Sequence, residues 1–131
     1  MMLHGQCHCG RIQYEMSSEV MHHALCHCKD CRRHAGAPMV GWAMTRAHQV
    51  KITGTPRIYA SSEHGRRHFC ADCGTSLFYT NAKILPGLID VQSGTLDDPN
   101  LLPAQVHVQT ADRLDWMKTA HDLPAFDRYP G

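Results

Sequence analysis

This sequence has no excess of charge of either sign. Its 13 Lys and Arg face 12 Asp and Glu, for a formal net charge of +1. It has no basic or acidic tail. That balance excludes the electrostatic footprint of a nucleic-acid-binding protein and the polybasic segment that holds a chain on an anionic membrane. Long apolar runs are missing as well. Residues 35–45 are free of charge and of histidine, but the stretch is too short to cross a bilayer. Residues 1–5 carry neither a basic region nor an apolar signal core, so a reducing cytoplasm is the expected compartment. Internal repeats, low-complexity tracts and linkers are absent, and a single domain over residues 1–131 is expected.

Sulfur and imidazole are plentiful: 7 Cys and 11 His among 131 residues. An odd cysteine count cannot be consumed by internal disulfides. Hydrophobic residues make up 43%, enough to bury a core, so disulfide staples are not needed for want of one. In a reducing compartment, clustered cysteines are metal ligands or catalytic groups more often than bridges.

The local patterns are short and β-like. Residues 10–16 alternate, with Ile12, Tyr14 and Met16 on one side. Further strands are expected over residues 20–25, 39–45, 50–53, 57–60, 66–70, 76–80, 88–93 and 105–108. Gly54-Thr55-Pro56 and Asp97-Asp98-Pro99 read as turns. Helix is expected only over residues 30–34 and 113–120. The fold class is therefore mostly β: a small, mostly antiparallel domain with long loops and little helix, irregular enough to need a metal staple.

The cysteines fall in three clusters: Cys7-His8-Cys9, Cys26-His27-Cys28-Lys29-Asp30-Cys31 and Cys70-Ala71-Asp72-Cys73-Gly74. A Cys-x-x-Cys turn sets two thiolates on one side of a tight loop, where backbone N–H groups can donate to the sulfurs. Two such half-sites from distant parts of a chain make a tetrahedral Zn–S₄ site. Cys7, Cys9, Cys70 and Cys73 form such a closed set. Cys26, Cys28 and Cys31 then remain as three ligands on one loop, the arrangement that usually holds a catalytic zinc with an open position. Spacing alone also permits Cys26–Cys31 ligands to share a metal with Cys70 and Cys73. Neither common ferredoxin spacing is present. Two zincs on seven thiolates would turn the chain mildly acidic, which further disfavours nucleic acid.

Gly5-x-Cys7-x-Cys9-Gly10, Tyr14, Cys26-His27-Cys28-x-x-Cys31-Arg32, Gly36-Ala37-Pro38, Phe69-Cys70-x-x-Cys73-Gly74-Thr75 and Gly94-x-Leu96-Asp97-Asp98-Pro99 occur in this order. Together they resemble the glutathione-dependent formaldehyde-activating enzyme family, which includes centromere protein V. The resemblance runs from Gly5 to about Phe126. It implies a β-tent fold with a structural zinc on Cys7, Cys9, Cys70 and Cys73 and a catalytic zinc on Cys26, Cys28 and Cys31. It also implies a carbon–sulfur lyase-type activity joining formaldehyde and glutathione as S-hydroxymethylglutathione.

An open zinc position would hold a substrate thiol as thiolate or polarise an aldehyde oxygen. A small thiol or aldehyde is the expected partner. Three thiolates leave such a site negative, and Arg32 and Arg33, directly after Cys31, are candidates to offset this or to hold a substrate carboxylate. The expected catalytic residues are Cys28, Arg32 and His34; His34 is a candidate fourth ligand or proton relay, its plainer reading being a loop histidine. His8 and His27, between ligand cysteines, are expected to face solvent. His107 is read as a pocket base or the polar face of a strand. The alternative function is a non-catalytic zinc module for protein interaction, with both metals structural and a fourth protein ligand on the second.

Overall fold

The computed structural model describes residues 1–130. Ten strands form in the order β1 (Met2–Gln6), β2 (Gln13–Ser17), β3 (His22–Cys26), β4 (Val40–Arg46), β5 (Val50–Thr53), β6 (Arg57–Ala60), β7 (Gly65–Phe69), β8 (Ser76–Asn81), β9 (Leu85–Gln92) and β10 (Val106–Val108), with one α-helix, α1 (Lys29–Ala35), between β3 and β4. They make a three-stranded sheet, β1-β2-β5, and a seven-stranded sheet, β10-β3-β4-β9-β8-β7-β6. The mostly β expectation holds. The pairing is antiparallel throughout except that β10 runs parallel to β3, because the chain returns to that edge after a long connection from β9.

β1 was not expected from the sequence. Its inward positions are Leu3 and Gly5, and a glycine carries no hydrophobic signal. Gly5 is required there because it lies opposite Tyr14 in register, and an added Cβ would run into the Tyr14 ring and hydroxyl. The second expected helix, residues 113–120, differs too. The chain there forms 3₁₀ turns, Thr110–Asp112 and Asp115–Asp122, broken by a non-helical Thr119. Few of these side chains are buried, so packing does not stabilise a regular α-helix.

The strand alternation divides the seven-stranded sheet into two faces. Because side chains alternate, a cross-strand row stays on one face and its neighbour one residue along lies on the other. The row His23–Ala43–Val91–Phe78 follows the register across β3, β4, β9 and β8, and all four residues are buried. This face packs on Leu3, Tyr14, Met16 and Val50 of the smaller sheet in one core. Tyr14 meets Phe78 edge-to-face, with centroids 5.3 Å apart and planes at 76°. Burial of a side chain such as Phe78 contributes about 2–3 kcal/mol.

The adjacent row, His22–Met44–Asp90–Tyr79–Arg67, crosses the opposite face from β3 to β7. It forms part of the wall of the functional site. No helix among the described residues is long and apolar enough to cross a membrane.

Candidate active site and metal centres

The sulfurs of Cys7, Cys9, Cys70 and Cys73 lie within 4.8 Å of one another. Two loops supply them. After β1, the Cys7 N–H bonds the Ile12 carbonyl at 3.0 Å, and Ile12 N–H donates to the Cys7 sulfur at 3.3 Å. Between β7 and β8, Gly74 N–H bonds the Cys70 carbonyl at 2.8 Å, with Gly74 at φ 81°, a conformation that glycine adopts without a Cβ penalty. The two loops are joined by His8 N–H donating to the Thr75 hydroxyl at 2.9 Å. Thr75 also sits 3.2 Å from the Cys73 sulfur. Its hydroxyl, followed by neighbouring backbone N–H groups, pulls the Cys73 thiol down to about 5.

This donor set suits zinc. Tetrahedral Zn–S bonds of ~2.3 Å separate neighbouring sulfurs by ~3.8 Å; Cys7–Cys9 and Cys9–Cys70 are 3.6 and 3.7 Å apart. Cys7 and Cys70 are 0% and 1% exposed, so two of the ligands belong to the core itself.

The sulfurs of Cys26, Cys28 and Cys31 form a second group, again within 4.8 Å. Cys26 ends β3. Cys28 is the N-cap of α1, and its sulfur accepts the Cys31 N–H at 3.2 Å. The helix closes at Gly36, φ 66°, whose N–H bonds the Arg32 carbonyl. Ligand spacing and helix capping therefore coincide at this loop.

Both terminal nitrogens of Arg67 approach the Cys31 sulfur, at 3.7 and 3.8 Å. Arg67 is 6% exposed and lies over the Tyr79 ring, 4.9 Å from its centroid. The Cys31 thiol is held at about 5, first by Cys26, then by Cys28, with Arg67 adding to both. The contact with Cys31, then burial, pushes the Cys26 thiol in the opposite direction.

The trio opens onto a cavity of about 610 Å³ whose lining includes Trp42, Arg67, Tyr79, Asp90 and Gln109. Asp90 comes from the middle of β9. Burial, with the negative charge of Cys31 adding to it, raises its carboxyl to about 6. Gln109 adopts φ 55° at the rim.

Of the expected catalytic residues, Cys28 lines this cavity, whereas Arg32 and His34 do not. Arg32 is half-buried on α1, and its Nε is enclosed without a partner. His34, one turn beyond Cys31, lies against another neighbourhood. Its Nδ1 is 3.2 Å from the Ser76 hydroxyl, and its ring stacks on Tyr59 with centroids 6.2 Å apart. Burial, then the charge of Arg67, lowers its pKa. His34 and Arg67 thus share a neighbourhood, but only Arg67 reaches the trio.

His8 is exposed as expected. His27 is not: it is 1% exposed, which corrects the solvent-facing expectation. Its N–H bonds the Val108 carbonyl at 3.2 Å. That continues the β3–β10 ladder and turns the ring under β10, where Nε2 meets His107 Nδ1 at 2.9 Å. His107 is therefore the partner of a buried histidine and lies outside the cavity lining.

Arg67 and Asp90 were missed by sequence reasoning. Arg67 lies in a run of basic and imidazole side chains that reads as a polar strand face. Asp90 did carry a signal, since it interrupts the apolar stretch Leu88-Ile89-Asp90-Val91. A carboxylate in a buried strand needs either a partner or a function.

The fold and these two sulfur clusters define a mostly β protein with two cysteine sets that could each hold a metal ion, one of four sulfurs and one of three at a cavity. The chain matches the glutathione-dependent formaldehyde-activating enzyme family over residues 2–112, and it belongs to that family. An uncharacterized lyase of Schizosaccharomyces pombe is 35% identical over 81 residues, covering 60% of this chain and 59% of the relative. A protein named as a glutathione-dependent formaldehyde-activating enzyme in Halomonas elongata is 26% identical over 136 residues, covering 90% of this chain and 81% of that one. One of the same name in Phaeosphaeria nodorum is 34% identical over 77 residues, covering 55% of this chain and 40% of the relative. The match thus spans less than two thirds of the yeast and Phaeosphaeria proteins. A solved structure of a Rhodobacter sphaeroides protein shares the fold, with a TM-score of 0.60 at 22% identity, covering 80% of this chain and 99% of that one.

Proposed function

We propose that the three-cysteine cavity is a zinc-dependent carbon–sulfur lyase centre acting on a small thiol–aldehyde adduct. S-hydroxymethylglutathione is the adduct to which the names of the relatives point. The observation that carries this reading is the trio itself: three sulfurs within 4.8 Å, with no fourth His, Cys, Asp or Glu in the cluster among the described residues, beside a cavity large enough for a small molecule. A closed set such as Cys7, Cys9, Cys70 and Cys73 is suited to architecture, and an incomplete one to exchange of a ligand.

In this reading Cys7, Cys9, Cys70 and Cys73 would hold a structural zinc, and Cys26, Cys28 and Cys31 a second one. When bound, the second zinc supplies a Lewis acid and a place for a substrate sulfur as thiolate. The protein's own contribution starts with Arg67, whose guanidinium faces Cys31 and offsets the negative charge of three thiolates, the part first expected of Arg32. Trp42 and Tyr79 wall the cavity with aromatic surface that excludes water and orients an apolar methylene. Cys28 keeps its place as ligand and helix cap. Arg32 and His34 are proposed as positioning residues that fix α1 and the β7–β8 end of the sheet. Free thiols at all seven cysteines suit a reducing compartment, and we place the protein in the cytoplasm.

The test combines zinc stoichiometry with NMR exchange of formaldehyde between free and thiol-bound forms. Glutathione and uncharged 2-mercaptoethanol serve as the thiols. Two zincs per chain and accelerated exchange are expected, with Cys28→Ser losing one zinc and the acceleration together. Two zincs without acceleration for either thiol would overturn the lyase reading and leave a zinc-binding interaction module.

A further inference from the structure

Asp90 is a carboxylate on the central part of the seven-stranded sheet, flanked along the chain by Ile89 and Val91, which point into the core. Its side chain has no hydrogen bond or ion pair among the described residues, yet it lines the same cavity as Cys26, Cys28 and Cys31. The obvious partner, Arg67, is engaged elsewhere. Asp90 is paired with Tyr79, and Tyr79 with Arg67, so two strand spacings of ~4.8 Å separate the Asp90 and Arg67 backbones. The guanidinium is turned to Cys31 and covers the intervening Tyr79 ring. A partly desolvated, unpaired carboxylate costs folding free energy. An apolar residue would serve the sheet better at this position, so its presence points to chemistry in the cavity.

We propose that Asp90 is the general base that takes the hydroxyl proton of the adduct during carbon–sulfur cleavage, and the acid that returns it when the adduct forms. The proposal rests on the lyase reading of the trio. In cleavage of RS–CH₂–OH, the O–H proton passes to the Asp90 carboxylate. The O–H electron pair becomes the second bond of the formaldehyde C=O. The C–S pair leaves with sulfur as the thiolate RS⁻. In the reverse direction the thiolate attacks formaldehyde carbon, and Asp90 in its acid form protonates the resulting alkoxide. No oxidant or reductant is needed, and the carboxyl returns to its starting state by exchange with solvent. His22, at the other end of the same row, and the carboxylates of Asp30 and Asp112 line the same cavity and are the competing bases.

The test measures formaldehyde exchange by wild type, Asp90→Asn, Asp90→Glu and His22→Gln. Cobalt substitution reads the thiolate charge-transfer band of the trio in each. Asp90→Asn is expected to lower kcat by about 10²–10³-fold with KM within about twofold and the cobalt band unchanged. Asp90→Glu, still a carboxylate, recovers part of the loss, and His22→Gln, which alters the cavity wall, is expected to lose less than Asp90→Asn. Wild-type kcat in Asp90→Asn would overturn the assignment, as would transfer of the large loss to His22→Gln. If Asp90→Asn loses the cobalt band with its activity, Asp90→Glu decides: a band restored without activity also overturns it. Acceleration by wild type that vanishes in Cys28→Ser keeps the lyase reading standing even when Asp90 fails, whereas a wild type without acceleration removes both.

Discussion

The Arg67 guanidinium reaches the Cys31 sulfur with both terminal nitrogens, at 3.7 and 3.8 Å, from a strand 36 residues along the chain. This contact couples β7 to α1 and places a permanent positive charge behind one of three sulfurs. Arginine suits the position because its planar fork presents two donors while its face rests on the Tyr79 ring.

Replacing Arg67 therefore tests how the trio is charged. In metal-free, reduced protein, thiolate absorbance is expected to show Cys31 titrating near 5 in wild type and higher in Arg67→Gln. Arg67→Lys keeps the charge but loses the fork, and falls between the two. The same order is expected for zinc affinity at the trio, measured by competition with a chromophoric chelator. An Arg67→Gln thiolate profile identical to wild type would show that Cys26 and Cys28 alone set the Cys31 charge.

The two sulfur clusters differ in how they share the fold, and removing a ligand from each makes the difference measurable. Cys70 is buried within the main core, whereas Cys26, Cys28 and Cys31 sit at a smaller cluster with Val40 and Trp42. Binding energy at a site assembled by folding is folding energy. Cys70→Ser is expected to lower the thermal midpoint by about 10 °C or more, on the order of 3 kcal/mol. Cys28→Ser keeps a side chain able to cap α1 and is expected to cost little, whereas Cys28→Ala costs about 1 kcal/mol through its lost helix-capping bond. Scanning calorimetry with and without chelator checks both, and equal losses would contradict the division of roles.

The His27–His107 pair makes stability depend on mildly acidic pH. Burial, then the charges of Arg113 and His107, lowers the His27 pKa below its ordinary 6.5. A depressed histidine in the folded state means that the unfolded chain binds protons more readily. The contribution is present above pH 6.5 and is lost as pH falls through and below that value. Denaturant midpoints between pH 8 and 5 should drop more steeply in wild type than in His27→Gln. His107→Ala leaves the buried His27 Nε2 without its partner, adding to an Nδ1 that already has none. It is expected to cost about 1–3 kcal/mol.

How much of this was legible in the sequence depends on the range of the interaction. The strand at residues 50–53 and the α1 loop could be read because alternation and helix signals are local, whereas spacing left the partner of Cys70 and Cys73 open and only the family resemblance assigned it to Cys7 and Cys9. β1 could not be read, because Gly5 gives no hydrophobic signal until the Tyr14 ring is seen across from it. His27 was misread as exposed because its burial depends on β10, a strand that arrives 80 residues later.

From its amino acids alone the chain determines seven thiols in a two-plus-three-plus-two order, a set of short alternating strands and a near-neutral charge. Those properties specify metal-ligating cysteine sets and a β fold, because each follows from residue type and close spacing. Strand order was a tertiary decision. By setting β7, β8, β9, β4 and β3 side by side, it aligned Arg67, Tyr79, Asp90, Met44 and His22 into one row, all of which but Met44 line the cavity of the trio. No local pattern encodes that row. A strand specifies which of its side chains share a face, but only the pairing of strands decides what stands opposite them.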